Sequence, residues 1–238
     1  NIADFRYVSH TVADGKAPLC GLPAMYANAG DDVQTLEITL EDKVGEMRLT
    51  LFYSVFYELD IITRHAVFTN LSDEEAILGA ALSAAVDFDR ADLDIITNYG
   101  THCAERQIER APLRRGKTVL SSRRGASSHV HNPFLILCDS ETSETAGSAY
   151  GLVLVYSGSF SASVEGTQFG AARALIGLNP EGFGWMLEPG ASFTTPEAVL
   201  CFSDDGLGGL SHRFHKAFRR NLCRGKFRDA RRPVLLNM

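Results

Sequence analysis

The sequence predicts a mainly antiparallel β protein with a single helix close to its C-terminus. Apolar and polar residues alternate over long stretches, of which residues 47–58 are the clearest, and a period of two is typical of strands with one buried face. Gly, Pro, Asn and Asp fill the segments between these stretches, as at 179–182 and 188–190, where they favour turns. After Ser203 the period becomes helical. Many strands joined by short turns indicate antiparallel sheets packed face to face.

The strand predictions follow this alternation in chain order. Residues 34–40 and 61–69 flank the long strand at 47–58. Residues 76–88 are harder to assign, because their Ala-rich first part fits a helix as well as a strand; we favour a strand because the neighbouring segments are strands. The remaining predicted strands are 93–99, 133–138, 150–157, 162–165, 173–178 and 197–203.

The predicted helix rests on apolar residues at helical spacing. Asp204 and Asp205 follow Ser203 as candidate caps at its start, and Gly225 is the predicted stop. A polar connector then leads to the Val-Leu-Leu run at 234–236, which predicts the start of a buried strand. Because the sequence also lacks a starting Met, we expect the chain to be part of a longer protein. The helical apolar positions are Leu207, Leu210, Phe214, Ala217, Phe218 and Leu222.

Composition excludes several classes of protein. The chain has 238 residues, of which 45% are hydrophobic and 22% are charged, so disorder, collagen and coiled coil do not fit. The longest uncharged apolar run, at 76–86, is far shorter than the roughly 20 residues that a membrane span needs, and we expect no membrane partner. The N-terminus shows no signal peptide. Five scattered cysteines without a C-x-x-C motif favour a reducing compartment, and we expect a cytoplasmic protein.

Charge is distributed unevenly along the chain. Residues 206–238 contain nine Lys or Arg against one acid, Asp229, so this segment carries +8 and residues 1–205 carry −14 of the net −6. A basic tail is one signature of a nucleic-acid partner. The segment has few aromatic residues and no recognisable nucleic-acid module. We therefore expect no nucleic acid, and expect the basic helix to pack against acidic protein.

Two pairs of histidines have spacings that suit a metal. His129 and His131 share one face if the chain is extended, and His212 and His215 are three apart on the predicted helix. No third ligand stands at a metal spacing and H-E-x-x-H is absent. We therefore favour hydrogen-bonded or solvated histidines, with no metal or cofactor.

The stretch 121–129, SSRRGASSH, is the most unusual of the chain. Its two arginines, four serines and glycine suit a cradle for a phosphate or carboxylate. They suit equally a structural loop fixed by Arg-to-carboxylate pairs. The stretch lacks the P-loop pattern, and the chain contains neither G-x-S-x-G nor a dinucleotide-binding glycine motif.

Paired carboxylates, which a glycosidase needs, occur several times. Residues two apart in a strand share a face, but solvated strand faces have the same pattern, so we favour the solvated interpretation. From the residues alone, the chain is a β protein without visible catalytic machinery. The pairs are Asp87 with Asp89, Asp92 with Asp94, and Asp204 with Asp205.

Several strings resemble the N-terminal region of bacterial α-galactosidases of glycoside hydrolase family 36, in order, with similar spacing and over nearly the whole chain. They are GLPAMY at 21–26, QTLEITL at 34–40, IITR at 61–64, ERQIERAPL at 105–113, SRRGASSHVHNPF at 122–134, YGLVLVYSGSF at 150–160, QFG at 168–170, EPGASFTTPEAVLCFSDDGLGGLS at 188–211 and RRPVLLN at 231–237.

The resemblance implies an antiparallel β-supersandwich of the galactose mutarotase-like kind. Residues 1–205 would form this domain, lacking its opening strands, and 206–238 would be a helix and connector that lead into a (β/α)8 catalytic barrel after residue 237. The family consists of retaining α-galactosidases that act on melibiose and raffinose-type sugars. One aspartate of the barrel is the nucleophile and another is the acid/base, and no cofactor is implied. The domain would support the barrel, shape the rim of its pocket and help form a homo-oligomer.

The sequence departs from the family pattern at the places that carry chemistry. The family's Lys-Trp-Asp nucleophile string is absent, and Trp185, the only Trp, lies in GFGWML. The resemblance thus assigns no catalytic residue to this chain, and we predict that the chain alone does not cleave galactosides. In NYGTHCAER at 98–106, His102 stands where the family has a Trp that walls the galactose pocket. His102 is the candidate substrate-binding residue, with an exposed loop histidine as the alternative and Tyr99 as the nearest aromatic.

The same fold leaves a second hypothesis open. A stand-alone galactose mutarotase-like epimerase, or a carbohydrate-binding sandwich, would also be a supersandwich. Mutarotation requires a His acid and a Glu base across one pocket. His129, His131 and Glu105 are available for these roles, but nothing in their spacing favours them.

Overall fold

A computed structural model describes residues 3–236 and confirms the mainly antiparallel β class with a C-terminal helix. The first strands are β1 Arg6–Asp14, β2 Val33–Asp42, β3 Met47–Phe56, β4 Ile61–Asn70, β5 Ala76–Leu78, β6 Leu82–Phe88, β7 Leu93–Thr101 and β8 Ala104–Pro112. They are followed by β9 Gly116–Ser122, β10 His131–Asp139, β11 Ala149–Val155, β12 Phe160–Gly166, β13 Ala172–Leu178, β14 Trp185–Leu187, β15 Ser192–Thr194 and β16 Glu197–Ser203, and then by the helix α1 Gly206–Asn221.

One large sheet dominates the described residues. Its 10 strands follow the order β1-β2-β3-β4-β16-β11-β10-β7-β8, with β15 paired to β4, and all its pairs are antiparallel. Both edge strands, β1 and β8, are exposed along their whole length. The central strands are apolar on both faces, because each face is covered by a different layer.

A small sheet of three strands, β12-β13-β6, covers one face of the central strands. Between the two sheets lies a core of aliphatic side chains and one aromatic, Phe160, which is fully buried. Strand β9 lies against β12 at the side of this layer. The face-to-face packing that the turn-rich alternation predicts is therefore confirmed.

Helix α1 covers the other face of the central strands. Leu210, Phe214 and Ala217 form its buried stripe and pack on β16 and β11, as the apolar spacing predicts. Gly151 of β11 makes the close approach possible, because a side chain there would overlap the Phe214 ring.

The termini of α1 differ from the sequence-based expectation. Asp205 is the N-cap residue but makes no side-chain cap hydrogen bond; the Ser203 hydroxyl accepts instead from the Asp205 N–H. The helix ends at Asn221 rather than at Gly225, because the Asn221 amide turns back to bind Tyr26 O and Asp31.

The basic helix packs against acidic protein, as predicted. Arg213 lies 3.2 Å from Asp60, and Arg220 lies 3.3 Å from Asp31. Burial opposes ionisation of Asp31, but hydrogen bonds from Asn28 and Asn221 and the charge of Arg220 outweigh it and lower the pKa of Asp31. The Arg213–Asp60 pair, whose carboxylate is 65% exposed, contributes little to stability.

The structure refines one strand prediction. Residues 76–88 are strands, as favoured, but they form two: β5 pairs with β14 and β6 joins the small sheet, with a break at residues 79–81. Residues 234–236 are exposed, Val234 by 93%, and pair with no strand among the described residues; a buried strand that begins there is expected of a longer protein and stays a prediction. Residue 237 lies outside the described residues. The periodicity also missed β1, β8, β9, β14 and β15.

Candidate functional site at the β7–β8 hairpin

His102 lies at the tip of the hairpin that joins β7 to β8. The two-residue turn, His102 and Cys103, is closed by the Thr101–Ala104 pair. Cys103 adopts φ +62°, and its N–H donates to Glu105 Oε1 at 3.1 Å. The His102 side chain is exposed. The structure therefore places it at the outer edge of the large sheet, where it is free to contact another molecule or domain.

Beside the turn, the hairpin is held by a close approach of Gly100 to the loop before β10. Its N–H donates to Val130 O at 2.9 Å. A Cβ at this position would lie 2.7 Å from Glu105 Cα and 2.8 Å from His129 O, so any side chain would force the neighbouring backbone to shift. Gly100 thus lets the hairpin pack directly on the loop before β10, and this contact fixes the position of the tip.

The three residues of the epimerase hypothesis are partly brought together. The backbones of Glu105 and His129 meet at Gly100, and His131 pairs with Tyr99 across the β10–β7 ladder. His129 and Glu105 are exposed, and the buried His131 Nδ1 makes no hydrogen bond. Because His129 and Glu105 are both exposed, these described residues do not enclose a sugar between a His and a Glu.

The stretch 121–129 forms a structural loop at Arg123. The guanidinium of Arg123 lies 2.5 Å from Glu181 Oε2, the Ser122 hydroxyl donates to Ala126 O, and the Gly125 N–H donates to Ser159 Oγ. The interpretation with an Arg-to-carboxylate pair is confirmed for Arg123.

At least one carboxylate of each predicted pair is bound by an arginine; in the third pair Arg213 lies 3.4 Å from Asp205. Arg173 binds Asp87 through two hydrogen bonds, and Arg90 binds Asp92. The hydrogen bond from each arginine lowers the pKa of its carboxyl, Asp87 and Asp92 respectively. A group that stays ionised is unsuited to the general-acid role, which requires a raised pKa.

The histidines of α1 lie on its outer face, where both are exposed. They share that face with Lys216 and Arg219, and this positive surrounding opposes a cation. Within residues 3–236, no group of three or more His, Cys, Asp or Glu side chains is placed to hold a metal ion. No helix among the described residues is long and apolar enough to cross a membrane.

A buried ion pair beside the large sheet has no counterpart in the sequence patterns. Lys16, in the loop after β1, lies 2.7 Å from Glu197 at the start of β16, with side chains 2% and 0% exposed. The Met25 N–H donates to Glu197 Oε2 at 2.7 Å. Burial raises the pKa of Glu197 in spite of Lys16 and Met25, which act to lower it. This centre fastens the 15–25 segment to the sheet.

His65 of β4 belongs to the same region. Its ring stacks on Phe52 at 4.5 Å between centroids. Burial, reinforced by the charges of Lys16 and Arg64, lowers the pKa of His65 to about 4. A single charged or imidazole residue in an alternating strand looks like a solvated one, so only its neighbours in space reveal this role.

Comparison with known proteins identifies the architecture. A model of the glycosyl hydrolase family 36 N-terminal domain matches residues 1–188. The chain belongs to this family. A melibiase model matches residues 192–238 of this chain. This second match contains β15, β16 and α1, although β16 lies in the middle of the large sheet.

The relatives of this family 36 chain are α-galactosidases. It is 46% identical over 236 residues to alpha-galactosidase AgaA of Geobacillus stearothermophilus. The aligned region covers 99% of this chain and 32% of AgaA. It is 42% identical to the bifunctional alpha-galactosidase/sucrose kinase AgaSK of Mediterraneibacter gnavus, over 99% of this chain and 25% of that protein. The chain thus spans about a third or less of the length of these relatives.

Solved structures agree with the family 36 assignment. The crystal structure of the family 36 alpha-galactosidase AgaB from Geobacillus stearothermophilus superposes with a TM-score of 0.96 at 45% identity, over 98% of this chain and 32% of that one. The resemblance and the supersandwich-type fold that the sequence predicts are confirmed. No comparison tests His102, the boundary at residue 205 or the location in the cell, and these stay predictions.

Proposed function

We propose that this chain is the non-catalytic N-terminal domain of an α-galactosidase that releases terminal α-galactosyl residues with retention. The observation that carries the proposal is the superposition with AgaB, which is nearly complete for this chain but takes up only 32% of that enzyme. Structures of AgaA variants have been solved in complex with raffinose and with stachyose. We extend these substrates, as raffinose-type sugars, to the protein that contains this chain.

The carboxylates of the domain support a non-catalytic role. A retaining glycosidase needs two carboxyl groups about 5 Å apart, one of them protonated at the working pH. Asp87 and Asp92 are instead ionised partners of arginines. The chemistry is accordingly assigned to a (β/α)8 barrel, with this domain as its support.

The β7–β8 hairpin is the part of the domain that we assign to the pocket rim. The strand beside its tip is fixed at Gly100, while His102 is exposed at the tip. A loop residue carried by a fixed scaffold is well placed to contact a sugar bound in a neighbouring domain. His102 then contributes a smaller and more polar wall than the Trp that the family has there.

The remaining surfaces support contacts with further protein. Helix α1 directs Lys216 and Arg219 outward, and they suit an acidic face of the barrel. The edge strands β1 and β8 are long and exposed, which favours their coverage in a homo-oligomer. The proposal also places the protein that contains this chain in the cytoplasm.

The assay compares two proteins on p-nitrophenyl α-galactoside: the 238-residue chain and the product of the complete gene that encodes it. We expect hydrolysis only by the second, with α-galactose as the first product seen by NMR. Hydrolysis by the chain alone contradicts the proposal. Faster mutarotation of fresh α-galactose by the chain would favour an epimerase instead.

A further inference from the structure

A concave pocket opens beside the small sheet, where three loops meet. These loops are the stretch after β9, the turn between β11 and β12, and the segment that follows β13. The pocket measures about 600 Å³, which lies in the range of small-molecule sites. Arg123 and Gly125 of the unusual stretch 121–129 line this pocket. The β7–β8 hairpin site does not involve these two residues.

One wall of the pocket is aromatic. Trp185 is 50% exposed, and its ring lies 5.2 Å from that of Phe193, which in turn contacts Phe183 at 5.7 Å. Tyr156 lines the pocket as well and lies over Gly158, where a Cβ would come within 2.6 Å of the phenol ring. A half-exposed Trp packed on the Phe193 ring presents an apolar face with a polar N–H at its edge.

The opposite side offers hydrogen-bonding groups whose charges cancel. Arg123 and Glu181 form an ion pair with side chains 65% and 67% exposed, so unused donors and an unused carboxylate oxygen face solvent. Ser159 accepts from the Gly125 N–H, which leaves its own O–H free to donate. Asn179 is buried and holds the loop, donating to Ser122 O and accepting from the Glu181 N–H.

We propose that this pocket binds a neutral saccharide, with a pyranose ring against Trp185 and its hydroxyls on Arg123, Glu181 and Ser159. Sugars combine apolar C–H faces with a periphery of donors and acceptors, and the pocket combines an aromatic wall with planar polar groups. The paired charges give no net attraction to an anion or cation. The inference goes beyond the proposed function, because it places a second saccharide site in this domain, away from the β7–β8 hairpin and independent of hydrolysis.

The chain carries a direct reporter of this pocket, since Trp185 is its only tryptophan. The 238-residue chain is titrated with stachyose and its tryptophan emission is recorded, with N-acetyltryptophanamide as the solution control. We expect a saturable shift of the emission to shorter wavelength. An emission that changes only linearly, as the free amide does, overturns the proposal, and so does a shift that depends on protein concentration but not on stachyose.

Two substitutions and one matched control separate binding from folding. Arg123→Ala and Glu181→Gln each remove a charged hydrogen-bonding group and are expected to weaken stachyose binding about 10-fold. Arg173→Ala breaks an exposed ion pair of similar exposure with Asp87 outside the pocket and is expected to leave binding unchanged. Thermal melting monitors the fold of each variant. Equal binding by Glu181→Gln and the parent chain, or equal weakening by Arg173→Ala, overturns the proposal.

Discussion

The central strands β4 and β16 and the β7–β8 edge of the large sheet use polar residues in opposite ways. Around β4 and β16, Lys16 and Glu197 are buried and bind each other, Glu197 accepts the Met25 N–H, and His65 stacks on Phe52. At the β7–β8 edge, Glu105 and His102 are exposed, and the hairpin is positioned by the backbone approach at Gly100. The first region therefore acts on folding, and the second leaves its side chains available to a partner.

Breaking the enclosed ion pair is expected to have the largest effect. Lys16→Met leaves Glu197 buried without its cation and is expected to lower the free energy of unfolding by about 3–5 kcal/mol. Urea denaturation measures this loss. Arg173→Met, which breaks an exposed pair, is expected to cost less than about 1 kcal/mol. Similar losses in the two variants would remove the distinction between the regions.

The enclosed imidazole predicts a pH dependence. His65 keeps a pKa of about 4 in the fold, whereas an unfolded chain protonates it near 6.5. The unfolded state then binds more protons between these values, so stability is present above about pH 6.5 and is lost as the pH falls to about 4, by at most ~3 kcal/mol.

Urea denaturation at several pH values tests this slope. His65→Asn should flatten it, and His215→Asn, which alters an exposed histidine of α1, should not. A slope that survives in His65→Asn would assign the dependence to other groups, such as Asp31, whose lowered pKa acts at more acidic pH.

A smaller effect on stability is expected from a change at Gly100, beside the turn of the β7–β8 hairpin. Gly100→Ala forces a methyl group against Glu105 and His129 and should cost about 1–3 kcal/mol. Gly79→Ala is the matched control, because a Cβ there meets nothing within 4 Å. In the product of the complete gene, Gly100→Ala should also raise KM by displacing His102. An unchanged stability in Gly100→Ala would show that the hairpin is not fixed at this point.

The smallest effect on stability is expected at the exposed tip. His102→Trp should change the free energy of unfolding by no more than about 0.5 kcal/mol. In the product of the complete gene it should lower KM for p-nitrophenyl α-galactoside about 2- to 10-fold, through a larger apolar wall. His10→Trp, at an exposed position of β1, is the control. An unchanged KM in His102→Trp dismisses the rim role.

The sequence by itself determined the class of fold, the helix α1 and the family. Alternation at 34–40 and 47–58 and the stripe of Leu210, Phe214 and Ala217 predict their elements, because period and burial are local properties of the chain. Edge strands such as β1 and β8 were missed, since exposure of both faces leaves no apolar alternation.

Only the tertiary structure decided which distant residues meet. Glu197 receives the N–H of Met25, 172 positions away, Gly100 closes on His129, and Trp185 faces the loop that holds Arg123. Such contacts depend on the order of strands in the sheets, which no local pattern encodes. Whether the apolar run at 234–236 forms a buried strand depends likewise on a neighbouring strand to complete its hydrogen bonds.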